Sequence, residues 1–278
     1  MQDHFVKTND IELHYIQYPN KEKPQLILLH GLTANAHAFD GLVFHGLKDH
    51  FELFAPDLRG RGLSTIPAFE YSLEAHAKDI LGFLDALKIK KALLCGHSFG
   101  GLLSIYLAVH YPERVEKIVL LDAAAQMNEN IGEMLMPTLA RLDQNYASYA
   151  DFLKEMKIAP QNTFWEKYME TYYKADVATK PDGTVNPHSN LQNIIAVSMA
   201  VANEPWVQHF ERVKQAVLLI NAVDEYVLDE PLLPDFKAKE SVELLQNGKY
   251  QEVNGNHFTM NYGENADAVN KAIIEFLT

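Results

Sequence analysis

Short runs of consecutive apolar residues recur along this chain, and between several of them the hydrophobic pattern changes to the period of a helix. Leu26 to Leu29, Ala92 to Cys95, Ile118 to Leu121 and Val217 to Ile220 are such runs, Phe51 to Ala55 is a similar one interrupted by Glu52, and Tyr250 to Val253 reads as a last strand. A run that is apolar at every position has no face to give to water, so each reads as a strand buried on both sides. Leu73, Ala77, Ile80, Leu81, Leu84 and Leu87 fall on one face of a helix with Ser72 as its N-cap, and Val269, Ala272, Ile273, Phe276 and Leu277 form another apolar stripe. Buried strands alternating with amphipathic helices imply an α/β fold with a mostly parallel central sheet covered by helices on both faces. In such folds ligands bind at the carboxyl ends of the strands. Ahead of this pattern, Phe5 to Lys7 and Ile11 to Gln17 alternate apolar with polar residues about Asn9-Asp10, the signature of an edge hairpin.

The alternation stops between about Ala125 and Pro205, where the patterns are helical and no strand is legible. Tyr149, Phe152, Leu153 and Met156 make one stripe; Phe164, Trp165, Tyr168, Met169 and Tyr172 a second; Leu191, Ile194, Ile195 and Ser198 a third. The expected organisation is a core of residues 1–125 and 206–278 with an inserted helical cap at 126–205. Lys180-Pro181-Asp182-Gly183 reads as a surface turn within the cap.

Charge and cysteine content narrow the function classes. With 24 Lys and Arg against 37 Asp and Glu among 278 residues, the net charge is −13, which repels phosphate backbones and anionic lipid surfaces. Neither nucleic acid nor a membrane is an expected partner; a small molecule is. The single Cys95 can form no internal disulfide and no thiolate metal site, and no metal or organic cofactor is implied. The first residues lack a basic segment followed by an apolar stretch, so a cytoplasmic location is expected. Oligomeric state is not legible.

Gly96-His97-Ser98-Phe99-Gly100 lies between the apolar run ending at Cys95 and the helical run Leu102 to Val109. That places Ser98 on a strand-to-helix turn, where flanking glycines relieve the crowding of a tight elbow and lift the hydroxyl clear of the sheet. A serine hydroxyl is a poor nucleophile at neutral pH, so it needs an imidazole to take its proton and a carboxylate to fix the tautomer of that imidazole. Of twelve histidines, His257 follows the last expected strand directly, in Asn254-Gly255-Asn256-His257-Phe258. Asp224, after the Val217 to Ile220 strand, completes the set in the order Ser98, Asp224, His257. Asp122 also ends a strand and is the rival acid, with loop-anchoring hydrogen bonds as its expected role.

Acyl chemistry also requires donors aimed at the oxygen that becomes negatively charged. The amide of Phe99, at the start of a helix, is one candidate; the amide of Leu32, in His30-Gly31-Leu32 after the first buried strand, is the second. His30 reads as a loop-packing residue. Met127, Met134 and Met136 are candidates to line an apolar pocket, and Arg141 is a candidate polar contact from the cap.

Taken together, His30-Gly31, the run Asp57-Leu58-Arg59-Gly60-Arg61-Gly62-Leu63-Ser64, the elbow Gly96 to Gly100 followed by Gly101, Asp224 and His257 resemble the α/β-hydrolase fold family over essentially the whole chain. The resemblance is to the broad group of esterases, carbon–carbon bond hydrolases, epoxide hydrolases and haloalkane dehalogenases. It implies that Asp57 to Ser64 is structural, with Arg59 tying loops together. Members that open epoxides or displace halide carry aspartate at the nucleophile position, where this chain has Ser98, and dehalogenases often carry tryptophan at the position of Phe99. The expectation is therefore a serine hydrolase of a small, neutral, apolar carboxylic ester. Carbon–carbon hydrolysis, lactone hydrolysis and cyanohydrin cleavage stand as alternatives on the same scaffold, and a non-catalytic ligand-binding receptor as the alternative from another class.

Overall fold

A computed structural model describes residues 1–278. In chain order the elements are β1 (Gln2–Thr8), β2 (Ile11–Tyr18), β3 (Gln25–Leu29), α1 (Asp40–Phe44), β4 (Glu52–Pro56), α2 (Leu73–Ala86), β5 (Ala92–His97), α3 (Phe99–His110) and β6 (Val115–Leu121). There follow α4 (Ile131–Met134), α5 (Met136–Ala140), α6 (Tyr149–Lys157), α7 (Lys167–Ala175), β7 (Val177–Thr179), β8 (Val185–Pro187), α8 (Leu191–Ala202) and α9 (Trp206–Arg212). The chain closes with β9 (Ala216–Ala222), α10 (Asp235–Glu243), β10 (Gly248–Val253) and α11 (Gly263–Leu277). Eight strands form one sheet in the order β1-β2-β4-β3-β5-β6-β9-β10. The pairs β1–β2 and β2–β4 are antiparallel and every later pair is parallel. The expected edge hairpin and the mostly parallel sheet are both present.

The apolar runs are continuous because the sheet separates two cores of similar size, 37 buried residues on one face and 33 on the other. Alternate residues of one strand serve opposite faces: Ile27 and Leu29 join the first core, Leu26 and Leu28 the second. Helices α2 and α3 cover the first face through Leu73, Ile80, Phe83 and Leu103, while α1 and α11 cover the second through Leu42, Val43, Val269 and Ile273. Ser72 caps α2 as expected, its hydroxyl accepting the Ala75 amide at 3.1 Å.

Between β6 and β9 the chain is largely helical, with one departure from expectation: β7 and β8 pair as an antiparallel hairpin around the Lys180 to Gly183 turn. Strands of three residues are too short to display an alternation, so the sequence carried no strand signal there. The stripe on α8 is also shifted, for Ile194 and Val197 are buried while Ile195 is 46 % exposed. Phe152, Met156, Tyr172 and Tyr173 extend the second core. Polar ties reinforce the packing: Asn35 Nδ2 donates to the Tyr172 carbonyl (3.3 Å), and Asn256 Nδ2 to the Gln161 carbonyl (3.0 Å).

Candidate active site

Ser98 occupies the single residue between β5 and α3, with φ 53° and ψ −118°, a conformation that side-chain-bearing residues rarely adopt. The neighbouring chain must come close for this turn to form. A Cβ on Gly96 would collide with the backbone of Gly100, and one on Gly100 with the carbonyl of Leu29. The strained turn is held by the Ser98 amide, which donates to the Leu121 carbonyl at 2.9 Å, so the elbow is anchored to the adjacent strand β6.

His257 lies in the loop after β10, buried, and its Nδ1 faces Asp122 Oδ2 at 2.7 Å. An ionised carboxylate only accepts, so Nδ1 carries the proton and Nε2 keeps its lone pair. The partner of the histidine is thus Asp122, which corrects the expectation that Asp224 would fill this place. Asp122 follows β6, the neighbour of β5, and is 0 % exposed with φ 51°. Its Oδ1 accepts both Asn221 Nδ2 (3.0 Å) and the Ala222 amide (3.0 Å), and its own amide donates to the Ile220 carbonyl (2.8 Å). The loop-anchoring bonds expected of Asp122 exist; they are made to Oδ1 and so hold the carboxylate whose other oxygen, Oδ2, faces His257. Asp224 lies beyond β9, one strand further from the elbow, and is exposed. Its Oδ2 accepts the Gly255 amide at 2.8 Å, which makes it a brace of the histidine loop.

The amides of Leu32 and Phe99 have no acceptor within the protein. A Cβ on Gly31 would lie 3.5 Å from the Ser98 Cβ, so the Gly31-Leu32 turn abuts the turn that carries Ser98. Leu32 and Phe99 both line the cavity that Ser98 borders, and Phe99 opens α3 at its positive end. Behind them sits a residue with a role the sequence did not reveal. Arg61 is fully buried, its Nε donating to the Leu32 carbonyl (3.0 Å) and its Nη1 to the Arg59 carbonyl (2.6 Å). The guanidinium also lies 5.6 Å from the centre of the Phe99 ring. Burial lowers its pKa to about 9, with no carboxylate ion pair to offset the loss of water. His30 packs the same loop as expected, with Nε2 accepting the Leu58 amide (2.9 Å) and Nδ1 donating to the Gly31 carbonyl (2.8 Å). Burial depresses its pKa to about 4, which keeps it neutral. Arg59 is tied to Asp79 by two bonds, of 2.6 and 2.8 Å, and to the Glu70 carbonyl.

Inside the elbow, His97 Nε2 donates to the His257 carbonyl at 2.7 Å and links the two loops. Burial, then the nearby His257, lowers its pKa to about 3. Ser98, His257 and Asp122 all border one cavity of about 510 Å³, and 18 of its 29 lining residues are hydrophobic, so the space suits a largely apolar small molecule. Met127 lines it, but Met134 and Met136 do not. Met134 is 0 % exposed and packs with Tyr226 and Leu232, while Met136 is 55 % exposed; Ile131 and Leu135 take the inward positions instead. Arg141 reaches the cavity wall, but its charge is matched by Asp176 at 3.2 Å, and its Nη2 donates to the Thr33 carbonyl (3.1 Å). Burial opposes the charge on Arg141, yet Asp176 outweighs it and holds the pKa above the ordinary value. No helix of the structure is long and apolar enough to cross a membrane.

A strained serine at the carboxyl edge of a parallel sheet, sharing a cavity with a histidine whose tautomer a buried carboxylate fixes, defines the class of α/β proteins built around a nucleophile elbow. The chain belongs to the alpha/beta hydrolase fold family, whose profile matches residues 24–260. It is 31 % identical over 129 residues to 3-oxoadipate enol-lactonase 2 of Acinetobacter baylyi, covering 45 % of this chain and 48 % of that protein. It is 35 % identical over 123 residues to 2-(acetamidomethylene)succinate hydrolase of Mesorhizobium japonicum, covering 43 % and 44 %. The matches thus span just under half the length of these curated relatives. Over 99 % of this chain and 98 % of the other, the fold superposes on the crystal structure of E-2-(acetamidomethylene)succinate hydrolase with a TM-score of 0.84 at 22 % identity. The meta-cleavage product hydrolase of Pseudomonas fluorescens gives 0.74 at 21 %, over 98 % and 96 % of the chains.

Proposed function

We propose that this protein is a serine hydrolase of a small carboxylic ester, linear or cyclic, working through an acyl-enzyme. His257 Nε2 takes the Ser98 proton as Oγ attacks the carbonyl carbon, and the oxyanion receives the Leu32 and Phe99 amides. The protonated imidazole returns the proton to the departing alkoxide. Water, deprotonated in turn by His257, then attacks the acyl carbon and releases the acid and Ser98. Asp122 stays ionised, holding Nδ1–H and stabilising the imidazolium.

The observation that carries this reading is the 2.7 Å contact of His257 Nδ1 with a buried Asp122, which leaves a basic Nε2 in the cavity of the strained Ser98. The likeness to an enol-lactonase, which opens a cyclic ester, supports it. Carbon–carbon hydrolysis is disfavoured because the one arginine on the cavity wall is already paired with Asp176. The test is hydrolysis of p-nitrophenyl acetate, butyrate and octanoate by wild type beside Ser98→Ala. Turnover that disappears in the variant supports the assignment; a folded wild type inert toward esters and lactones shifts the balance to a ligand-binding role.

A further inference from the structure

Two side chains on the cavity wall hold a buried polar atom without a hydrogen-bond partner: His97 Nδ1, which lies against Gly31, and Gln161 Oε1. Gln161, in the turn between α6 and α7, is 5 % exposed and borders the cavity, and its Oε1 has no hydrogen-bond partner. A buried carbonyl without a donor costs free energy, so such a group in a binding cavity calls for a partner on the ligand. Its position is fixed relative to the chemistry. The Gln161 backbone carbonyl accepts Asn256 Nδ2 at 3.0 Å, and Asn256 precedes His257 in the chain. The Asn256 amide cannot turn away, because its Oδ1 accepts the amides of Phe258 (3.0 Å) and Thr259 (2.9 Å). The last side-chain torsion of a glutamine is broad, so a modest turn of the carboxamide is enough to present Oε1 to a ligand in the cavity.

The charge balance of the wall says what kind of ligand group fits. Arg141 is the cation there, and Asp176 neutralises it at 3.2 Å. A carboxylate would find no unpaired positive charge beside Gln161, whereas a neutral donor would satisfy Oε1. We propose that Gln161 is a specificity residue, and that the substrate carries a hydroxyl or amide N–H, apart from its scissile carbonyl, which donates to Gln161 Oε1. This rests on the ester-hydrolase reading and narrows it, since a purely alkyl ester would leave Oε1 unpaired.

Isosteric substrate pairs test the assignment: methyl 3-hydroxybutanoate against methyl 3-methylbutanoate, and methyl N-acetylglycinate against methyl 4-oxopentanoate. Acid release in a pH-stat gives kcat/KM for each. Intrinsic reactivity cancels when the donor-to-isostere ratio of wild type is divided by that of Gln161→Met. For at least one pair the expected quotient is roughly tenfold, the size of one hydrogen bond to an otherwise unpaired buried group. Gln161→Glu, which retains an acceptor, should keep the wild-type ratio within about threefold, and decides the matter should Gln161→Met not fold. A quotient near one for both pairs, or a ratio lost in Gln161→Glu, overturns the proposal. If wild type turns over no ester, the hydrolase reading fails separately. The quotient is then taken from dissociation constants of the four probes by ligand-observed NMR, where a value of roughly tenfold for one pair supports the role of Gln161 and a value near one for both overturns it.

Discussion

Replacing Asp122 by asparagine should abolish catalysis by forcing the wrong tautomer on His257. The Oδ1 position accepts two N–H groups, from Asn221 and Ala222, each at 3.0 Å. An asparagine must keep its carbonyl there, because turning the amide would aim its NH₂ at two donors. The NH₂ then faces His257 Nδ1, which becomes an acceptor, so the ring proton moves to Nε2 and the lone pair that should receive the Ser98 proton is gone. Loss of the orienting carboxylate in this way costs about 10⁴-fold in kcat, equivalent to about 5.5 kcal/mol of transition-state stabilisation. Asp224→Asn should stay within about twofold of wild type, because an amide oxygen can still accept the Gly255 amide at an exposed site. The assay is steady-state p-nitrophenyl butyrate hydrolysis with melting curves for both variants. A folded Asp122→Asn enzyme within tenfold of wild type, or a crippled Asp224→Asn enzyme, would refute the tautomer argument.

Arg61→Met removes the donor that fixes the Leu32 carbonyl, so kcat should fall roughly tenfold with little change in KM, measured on the same ester; an unchanged kcat means the loop holds without it. Asp79→Ala leaves the Arg59 guanidinium buried without its carboxylate and should cost about 3–5 kcal/mol in urea unfolding, whereas a loss below about 1 kcal/mol would mean that water replaces the pair. His97 binds a proton only near pH 3 when folded but near 6.5 when unfolded, so below about 6.5 the unfolded state takes up more protons and stability falls with pH. By pH 5 this group alone withdraws about 2 kcal/mol, and His97→Asn should lose less stability than wild type by that amount between pH 7 and 5. Equal losses in urea titrations of the two proteins would place the acid sensitivity elsewhere.

The sheet was legible because burial on both faces leaves a mark that needs no partner strand: an apolar run such as Leu26 to Leu29 has no polar side to show. Ser98 was legible for a related reason, since close backbone approach demands both flanking glycines, Gly96 against Gly100 and Gly100 against Leu29, and leaves them as a pattern of five residues. The acid was not. Asp122 and Asp224 both follow strands and both fall between Ser98 and His257, so chain order cannot separate them; strand adjacency does, and β6 rather than β9 borders the elbow strand. The cap residues were harder still. Met134 and Met136 lie two positions apart, but one ends α4 inside a buried cluster and the other opens α5 toward solvent. Gln161 left no local signal, because what marks it is a missing hydrogen bond.

The hydrolase reading depends on an activated Ser98, and a fluorophosphonate reports that activation without any assumption about the substrate. Intact-mass and peptide-mapping analysis after the reaction should find one adduct per chain, on the peptide containing Ser98, formed much more slowly in His257→Ala and absent in Ser98→Ala. A folded wild type that takes no adduct, or takes it on another residue, would show that Ser98 is not the nucleophile.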